Sequence, residues 1–223
     1  MSLLMNLTMV ILSGLVPAVL FCVLAGRLDL WNAWVTAGVF IAWLAFQTLA
    51  VYRKSPDVLK ERMTLGTKGR VRWTVGLSFV LVYILQWIIA GLDQRFHWSN
   101  IVPPTGVVLG IVIFTIGCGL FTWSALVNPF FSPEVKIQSD HGQQVINNGP
   151  YAIVRHPGYA ANLLFVAASV LALNSLLSIL PAVIFLAVTI RVTGIEDRML
   201  QDELAGYAEY ASKVRYRLIP GLW

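Results

Sequence analysis

The sequence predicts an all-α integral membrane protein in which about six membrane segments form one helical bundle. Of its 223 residues, 57% are hydrophobic and only 12% are charged, whereas about 25% of a soluble domain is charged. Five long stretches contain no Asp, Glu, Lys or Arg, namely 3–25, 30–52, 73–92, 101–127 and 158–190. This composition excludes an ordinary soluble globule and a disordered chain.

The first four stretches each match one spanning helix, because a bilayer core needs about 20 apolar residues. The fifth stretch is too long for one upright helix, and Asn174-Ser175 interrupts it shortly before Pro181. Proline is best accepted in the first turn of a helix. We therefore expect a hairpin of two short membrane helices, at roughly 158–173 and 176–192.

The C-terminal part is predicted to form a cytoplasmic amphipathic helix of about six turns. Its apolar residues recur at spacings near three and four between Val192 and Val214. The whole chain, 1–223, is expected to be a single domain. Residues 1–127 would supply four membrane helices, and 128–223 would hold the functional part, because dense polar motifs begin there.

Basic residues are distributed unevenly along the chain and predict its orientation. Fourteen of the 16 Lys and Arg residues lie in 53–72, 128–157 and 191–223. Because basic loops stay on the cytoplasmic side, we expect both termini and these loops in the cytoplasm, with Arg27 and Arg95 opposite. The net charge of +5 is then a topology signal, and no nucleic-acid partner is expected.

The two cysteines, Cys22 and Cys118, lie inside apolar stretches. Each is expected to be a buried, free thiol, which excludes a disulfide scaffold. No metal site is expected, and the sequence does not indicate an oligomeric state.

The first polar cluster surrounds Pro157, which suits the first position of a helix. His156 would then lie near the N-cap, and the first-turn N–H groups would have no intrahelical partner. These donors, the helix dipole and the Arg155 guanidinium would together form an anion site at the membrane surface. Alternatively, Arg155 and His156 face lipid headgroups, and Tyr151 and Tyr159 are ordinary interfacial aromatics.

Two further clusters follow the hairpin. One interpretation of Glu196 and Asp197 is a solvated acidic face. Alternatively, Glu196 reaches a cavity beneath the bundle, where its carboxylate would suit a ribose diol or an ammonium. Arg215 and Arg217 either anchor the tail on anionic lipid or supply one arginine that grips a substrate carboxylate through two hydrogen bonds.

Two glycine pairs lie in the fourth stretch. Small residues there usually permit close helix packing, which is the expectation for Gly106 and Gly110. Gly117 and Gly119 would also allow a flat ligand to approach the backbone.

Taken in order, the motifs resemble the isoprenylcysteine carboxyl methyltransferase family, part of a wider group that includes the phospholipid N-methyltransferases. They are Gly149-Pro150-Tyr151, Arg155-His156-Pro157-x-Tyr159, Glu196-Asp197, Gly206-Tyr207-x-x-Tyr210 and Arg217-Leu-Ile-Pro220. Membrane sterol reductases are similar at Arg-His-Pro-x-Tyr and in their tails.

The resemblance implies a cytosol-facing pocket for S-adenosyl-L-methionine, covered by the C-terminal helix, with a lipid-facing tunnel for a prenyl or acyl chain. Gly117-x-Gly119 resembles a Gly-x-Gly of the phospholipid enzymes, and the family's Glu-Glu reads Glu196-Asp197 here. The implied catalytic residues are Arg217 and Glu196. The implied cofactor-binding residues are Tyr151, Arg155, His156, Pro157, Tyr159, Glu196, Asp197, Gly117 and Gly119.

Three functions follow as alternatives. The first is O-methylation of an isoprenylcysteine-type carboxylate, which is ionised near neutral pH and needs no base. The second is N-methylation of a phospholipid or other lipid, for which Glu196 or Asp197 would remove a proton. The third is reduction of a sterol or enone with NADPH. Each implies a lipid-soluble substrate and a cytoplasmic active site, in a bacterial or archaeal membrane or an endomembrane.

Overall fold

The computed structural model describes residues 3–54, 70–131 and 142–223, and within these ranges the regular structure is entirely helical. Most of the predicted basic loop 53–72 lies outside the described residues. Two short 3₁₀ turns, Gly149–Ala152 and Leu176–Ser178, accompany the α-helices. The α-helices are α1 (Leu3–Ala25), α2 (Trp31–Lys54), α3 (Arg70–Phe96), α4 (Pro104–Val127), α5 (Pro157–Ala172), α6 (Ile179–Glu203) and α7 (Tyr207–Lys213).

Five of these helices, α1, α2, α3, α4 and α6, are long and apolar enough to cross a membrane. The sixth apolar helix, α5, has 16 residues. α1 packs on α2 and α3, α3 packs on α6, and α5 lies between α4 and α6. The predicted class, an all-α membrane bundle with about six segments, is confirmed. Both Cys22 and Cys118 are buried and free, as expected.

The predicted hairpin is present and is formed by α5 and α6. Asn174 turns the chain with a positive φ of 52°. Its side-chain oxygen accepts a hydrogen bond from the Val102 N–H at 2.9 Å, and its carbonyl accepts one from Gln94 at 2.8 Å. The hairpin turn is therefore tied to the end of α3 and the start of α4, which fixes where the other ends of α5 and α6 lie.

The structure corrects the predicted tail helix. α6 does not end near residue 192 but continues to Glu203, because the polar residues after Arg191 include no proline that would interrupt its hydrogen bonds. The chain then turns at Gly206, whose φ of +81° is in the left-handed region that favours glycine. Only the short α7 follows, and Pro220 lies well beyond its last residue, Lys213.

Close packing of α4 against α5 depends on two glycines one heptad apart. A Cβ on Gly110 would lie 2.5 Å from the Ala172 nitrogen, and one on Gly117 would lie 2.8 Å from the Phe165 Cβ. Larger residues would push the helices apart, so these glycines hold the start of α5 beside the end of α4. A Cβ on Gly106 would lie nearest to the preceding turn, 2.8 Å from Val102 Cγ1.

Candidate active site at the start of α5

The carboxylate of Asp197, on α6, is completely buried at the end of the bundle where α5 begins. Arg155 forms a two-pronged pair with it, donating from Nε to Oδ1 at 2.8 Å and from Nη2 to Oδ2 at 2.9 Å. Arg217 donates from Nε to Oδ2 at 2.8 Å. One buried carboxylate therefore joins α6 to the segment before α5 and to the C-terminal tail.

Three further side chains complete the shell of this carboxylate. The Tyr207 hydroxyl donates to Oδ1 at 3.1 Å, Gln201 donates to Oδ2 at 2.9 Å, and His156 Nε2 lies 3.3 Å from Oδ1. Burial, and then the charge of Asp197, raise the pKa of Tyr207, which keeps this hydroxyl a donor. We call the group the Asp197 cluster: Arg155, His156, Asp197, Gln201, Tyr207 and Arg217.

The Asp197 cluster occupies the place predicted for an external anion. Arg155 faces Asp197 instead, and its Nη1 donates to the carbonyls of Ala211, Val214 and Arg215 at 3.0–3.2 Å. The guanidinium thus also caps the C-terminal end of α7. Its Nε, Nη1 and Nη2 atoms all donate within the protein, and a direct contact of Arg155 with a ligand stays a prediction.

The C-terminal tail lies directly along the segment that leads into α5. The N–H groups of Arg155 and His156 donate to the carbonyls of Tyr216 and Arg217, each at 2.9 Å. The ring of Trp223 lies 4.9 Å from the Arg217 guanidinium carbon, in a cation–π contact. The motifs that the sequence places in 155–159, 196–197, 207–210 and 217 are therefore assembled at one end of the bundle.

Glu196 differs from its neighbour Asp197 in both exposure and partner. The Tyr159 hydroxyl donates to Glu196 Oε2 at 2.7 Å, and both side chains are half-buried. The Tyr159 ring also stacks on His156, with ring centroids 6.0 Å apart. Adjacent residues on a helix point about 100° apart, so Glu196 faces outward beside the cluster while Asp197 faces into it.

Tyr151 connects α4 to α7 and is buried. Its hydroxyl lies beside Ser124 and accepts a hydrogen bond from Asn128 at 3.2 Å, while its carbonyl accepts one from the Tyr210 hydroxyl at 2.7 Å. Burial raises the pKa of Tyr151 to about 12 despite the Asn128 hydrogen bond. These contacts make Tyr151 a neutral connecting residue behind the site.

The start of α5 agrees with the sequence, since Pro157 is its first residue and His156 its N-cap. The ring of Phe131 covers Gly158 and lies 2.7 Å from where a Cβ would be. Any ligand that approaches this end of α5 would share the space with Phe131.

The two glycines of the Gly117-x-Gly119 motif do not share a surface. Gly117 packs against Phe165, whereas a Cβ on Gly119 would meet no atom within 4 Å. A flat ligand could not lie across both, so Gly117 has a packing role. Among the residues that the structure describes, no group of three or more His, Cys, Asp or Glu side chains could hold a metal ion.

Sequence reasoning missed Gln201 and Asn128. Gln201 lies four residues after Asp197 on α6, a spacing that brings side chains together on a helix, and that spacing was the available signal. Asn128 lies just beyond α4, and its contact with Tyr151 depends on the fold.

An all-helical membrane bundle with polar motifs gathered at one end agrees with the membrane architecture that the motifs imply. Residues 105–205, which include α5, α6 and most of α4, match the sequence model of the phospholipid methyltransferase family. This match supports the resemblance of the chain to the membrane methyltransferases, the group that comprises the isoprenylcysteine carboxyl and phospholipid enzymes. Among curated proteins, no significant match is found.

Proposed function

We propose that this protein transfers the methyl group of S-adenosyl-L-methionine to the headgroup of a lipid-soluble acceptor. The observation that carries the proposal is the assembly of Arg155, His156, Asp197 and Arg217 beside the half-buried pair of Tyr159 and Glu196. The family match supports methyl transfer rather than hydride transfer from NADPH. The lipid-soluble substrate explains why the site is at the end of a membrane bundle.

The residues at this site fit the cofactor in an arrangement that differs from the sequence-based expectation. Glu196 is a half-buried acceptor suited to the ribose diol or the ammonium of the cofactor, with Tyr159 fixing its carboxylate. The first-turn amides after Pro157 suit its amino-acid carboxylate. The polar atoms of Arg155, His156 and Asp197 bind one another. These three residues would therefore position Glu196 and the first-turn amides.

When bound, the cofactor supplies an electrophilic methyl group on a sulfonium. Such a displacement needs the acceptor in line with this group, so positioning is the main demand on the protein. Glu196 would orient the cofactor. Arg217, whose Nε is held by Asp197, would orient the acceptor. Phe131, over Gly158, would help to exclude water from the space between them.

For the acceptor, we propose an isoprenylcysteine-type carboxylate bound by Arg217. The Arg217 side chain is 30% exposed, so it can meet a ligand while it remains paired to Asp197. A guanidinium can grip a carboxylate through two parallel hydrogen bonds, and lysine cannot reproduce this fork. The acceptor would already be ionised, because model carboxyl pKa values are about 4.

A second candidate acceptor is the amine of a phospholipid, and two observations favour it. The matched family is named for phospholipid methylation, and Glu196 is an accessible acid at the site. An amine must lose a proton before it attacks. Glu196 would attract the ammonium and accept that proton, whereas Asp197 has both oxygens engaged.

We also propose that the site faces the cytoplasm, of a bacterial or archaeal membrane or an endomembrane. The basic residues of 142–157 and 191–223 lie in the same part of the chain as the site, and basic segments stay on the cytoplasmic side. The cofactor is water-soluble and would reach the site from that side.

The test is an assay of methyl transfer to a farnesyl-cysteine analogue and to phosphatidylethanolamine, over a range of pH, in the wild type and two variants. For carboxyl methylation, Arg217→Lys should lose most activity at saturating cofactor, and the rate should stay flat above about pH 6. For amine methylation, Glu196→Gln should be the severe variant, and the rate should rise with pH. Oxidation of NADPH without methyl transfer would contradict both proposals.

A further inference from the structure

We propose that Trp223 is a positioning residue, which holds the Arg217 guanidinium in the orientation that receives an oxyanion of the acceptor headgroup. This inference rests on the acceptor-binding role of Arg217 proposed above. The oxyanion is a carboxylate in a prenylcysteine and a phosphate in a phospholipid. Trp223 would act through Arg217 and need not touch the acceptor itself.

Arg217 is held from three directions. Its Nε donates to the buried Asp197 carboxylate at 2.8 Å, and its carbonyl accepts the His156 N–H at 2.9 Å. The Trp223 ring then covers one face of the guanidinium at 4.9 Å. These contacts hold the Nε edge and one face of the guanidinium, and the main chain of Arg217. Without them, the side chain could rotate about four bonds.

The Trp223 ring is itself held by a compact turn of the tail. The N–H groups of Arg217, Leu218 and Ile219 all donate to the main-chain oxygen of Trp223, at 2.9–3.3 Å. The Trp223 N–H donates back to the Ile219 carbonyl at 3.2 Å. These main-chain contacts hold the tail backbone that carries the ring next to Arg217.

This arrangement selects which part of the guanidinium an acceptor can use. Asp197 engages the Nε edge, so an incoming oxyanion would meet the Nη edge. The negative face of an indole ring attracts a cation without donating or accepting a hydrogen bond. Trp223 can therefore fix the plane of Arg217 and leave the hydrogen-bonding capacity of the Nη edge to the acceptor.

The experiment compares Trp223→Leu, Trp223→Phe and Arg217→Lys in the full chain. The KM for the farnesyl-cysteine analogue, the KM for phosphatidylethanolamine, kcat and the Kd for S-adenosylhomocysteine are measured for each. Trp223→Leu should raise the KM of the methylated acceptor about threefold to tenfold, the effect expected of a cation–π contact at a half-exposed site. Trp223→Phe, which keeps an aromatic face, should stay within about twofold of the wild type.

The Kd for S-adenosylhomocysteine should be nearly unchanged in both Trp223 variants, since the site still assembles. A normal acceptor KM in Trp223→Leu, or equal defects in the Leu and Phe variants, would overturn the inference. A parallel loss of S-adenosylhomocysteine binding would also overturn it, because Trp223 would then support the whole fold. A normal acceptor KM in Arg217→Lys would instead refute the acceptor role of Arg217, and so separates failure of the proposed function from failure of the inference.

Discussion

Replacing Asp197 by asparagine should strongly destabilise the C-terminal half of the protein. The substitution keeps the size of the side chain but removes the one negative charge that two arginines share. Arg155 has a side chain only 6% exposed, and Asp197 has none of its side chain exposed. At one of the two oxygen positions, the NH₂ group of asparagine would also point at the N–H and O–H donors that now bind the carboxylate.

The size of the effect follows from burial. Removing one partner of a buried ion pair costs about 3–5 kcal/mol, because the remaining charge has no compensation. Here Arg155 would lose both of its hydrogen bonds to a carboxylate, and the half-exposed Arg217 would lose one. We therefore expect the free energy of unfolding to fall by about 3–5 kcal/mol, with most of the loss arising at Arg155.

Glu196→Gln is the matched control, since it makes the same chemical change one residue earlier. Glu196 is half-buried and bonds to the uncharged Tyr159, and glutamine can still accept that hydrogen bond. Its free energy of unfolding should change by less than about 1 kcal/mol. Thermal unfolding of both variants in the same detergent, followed by circular dichroism, compares them directly. An Asp197→Asn protein as stable as Glu196→Gln would refute the reasoning.

Three further predictions concern topology, packing and pH. A cysteine placed at the exposed Leu28 should be labelled from outside whole cells, and one placed at Ser212 should not. The reverse pattern would contradict the predicted orientation. In thermal unfolding, Gly117→Ala should destabilise the bundle by about 1–3 kcal/mol through overpacking, whereas Gly119→Ala should not. Equal effects of the two substitutions would contradict the packing of Gly117 against Phe165. Burial and Asp197 raise the pKa of Tyr207, so its contribution to stability should be lost as pH rises above the ordinary value of about 10. Tyr207→Phe should weaken that alkaline loss in a pH series of unfolding, and an unchanged pH dependence would refute it.

The membrane helices could be predicted because their signal is local. Charge-free stretches and the interruption at Asn174-Ser175 give α1, α2, α4, α5 and the turn of the hairpin to within a few residues. The end of α6 could not be predicted in this way. The charges after Ile190 mark where the apolar stretch ends, but they do not break a helix, and α6 continues until the chain turns near Gly206.

The sequence indicates which polar residues gather at this end of the bundle, but not how they pair. Arg155 and Asp197 are 42 positions apart in the chain, and no spacing indicates that one satisfies the other. The sequence also gives no sign that Asp197 faces inward and Glu196 outward, because the two are adjacent and chemically alike. Which acid is buried depends on the rotation of α6 against α5, and that rotation is set by packing across the whole hairpin.

The most direct test of the central claim is a transfer assay with S-adenosyl-L-methionine labelled in its methyl group, using purified protein in lipid. We expect label in the lipid phase of the wild type, dependent on added farnesyl-cysteine analogue or phosphatidylethanolamine. Mild base should release the label as volatile methanol if the product is a methyl ester, and should leave it bound if the product is an N-methyl amine. Absence of labelled lipid with both acceptors, together with oxidation of NADPH on a sterol or enone lipid, would contradict the assignment as a lipid methyltransferase.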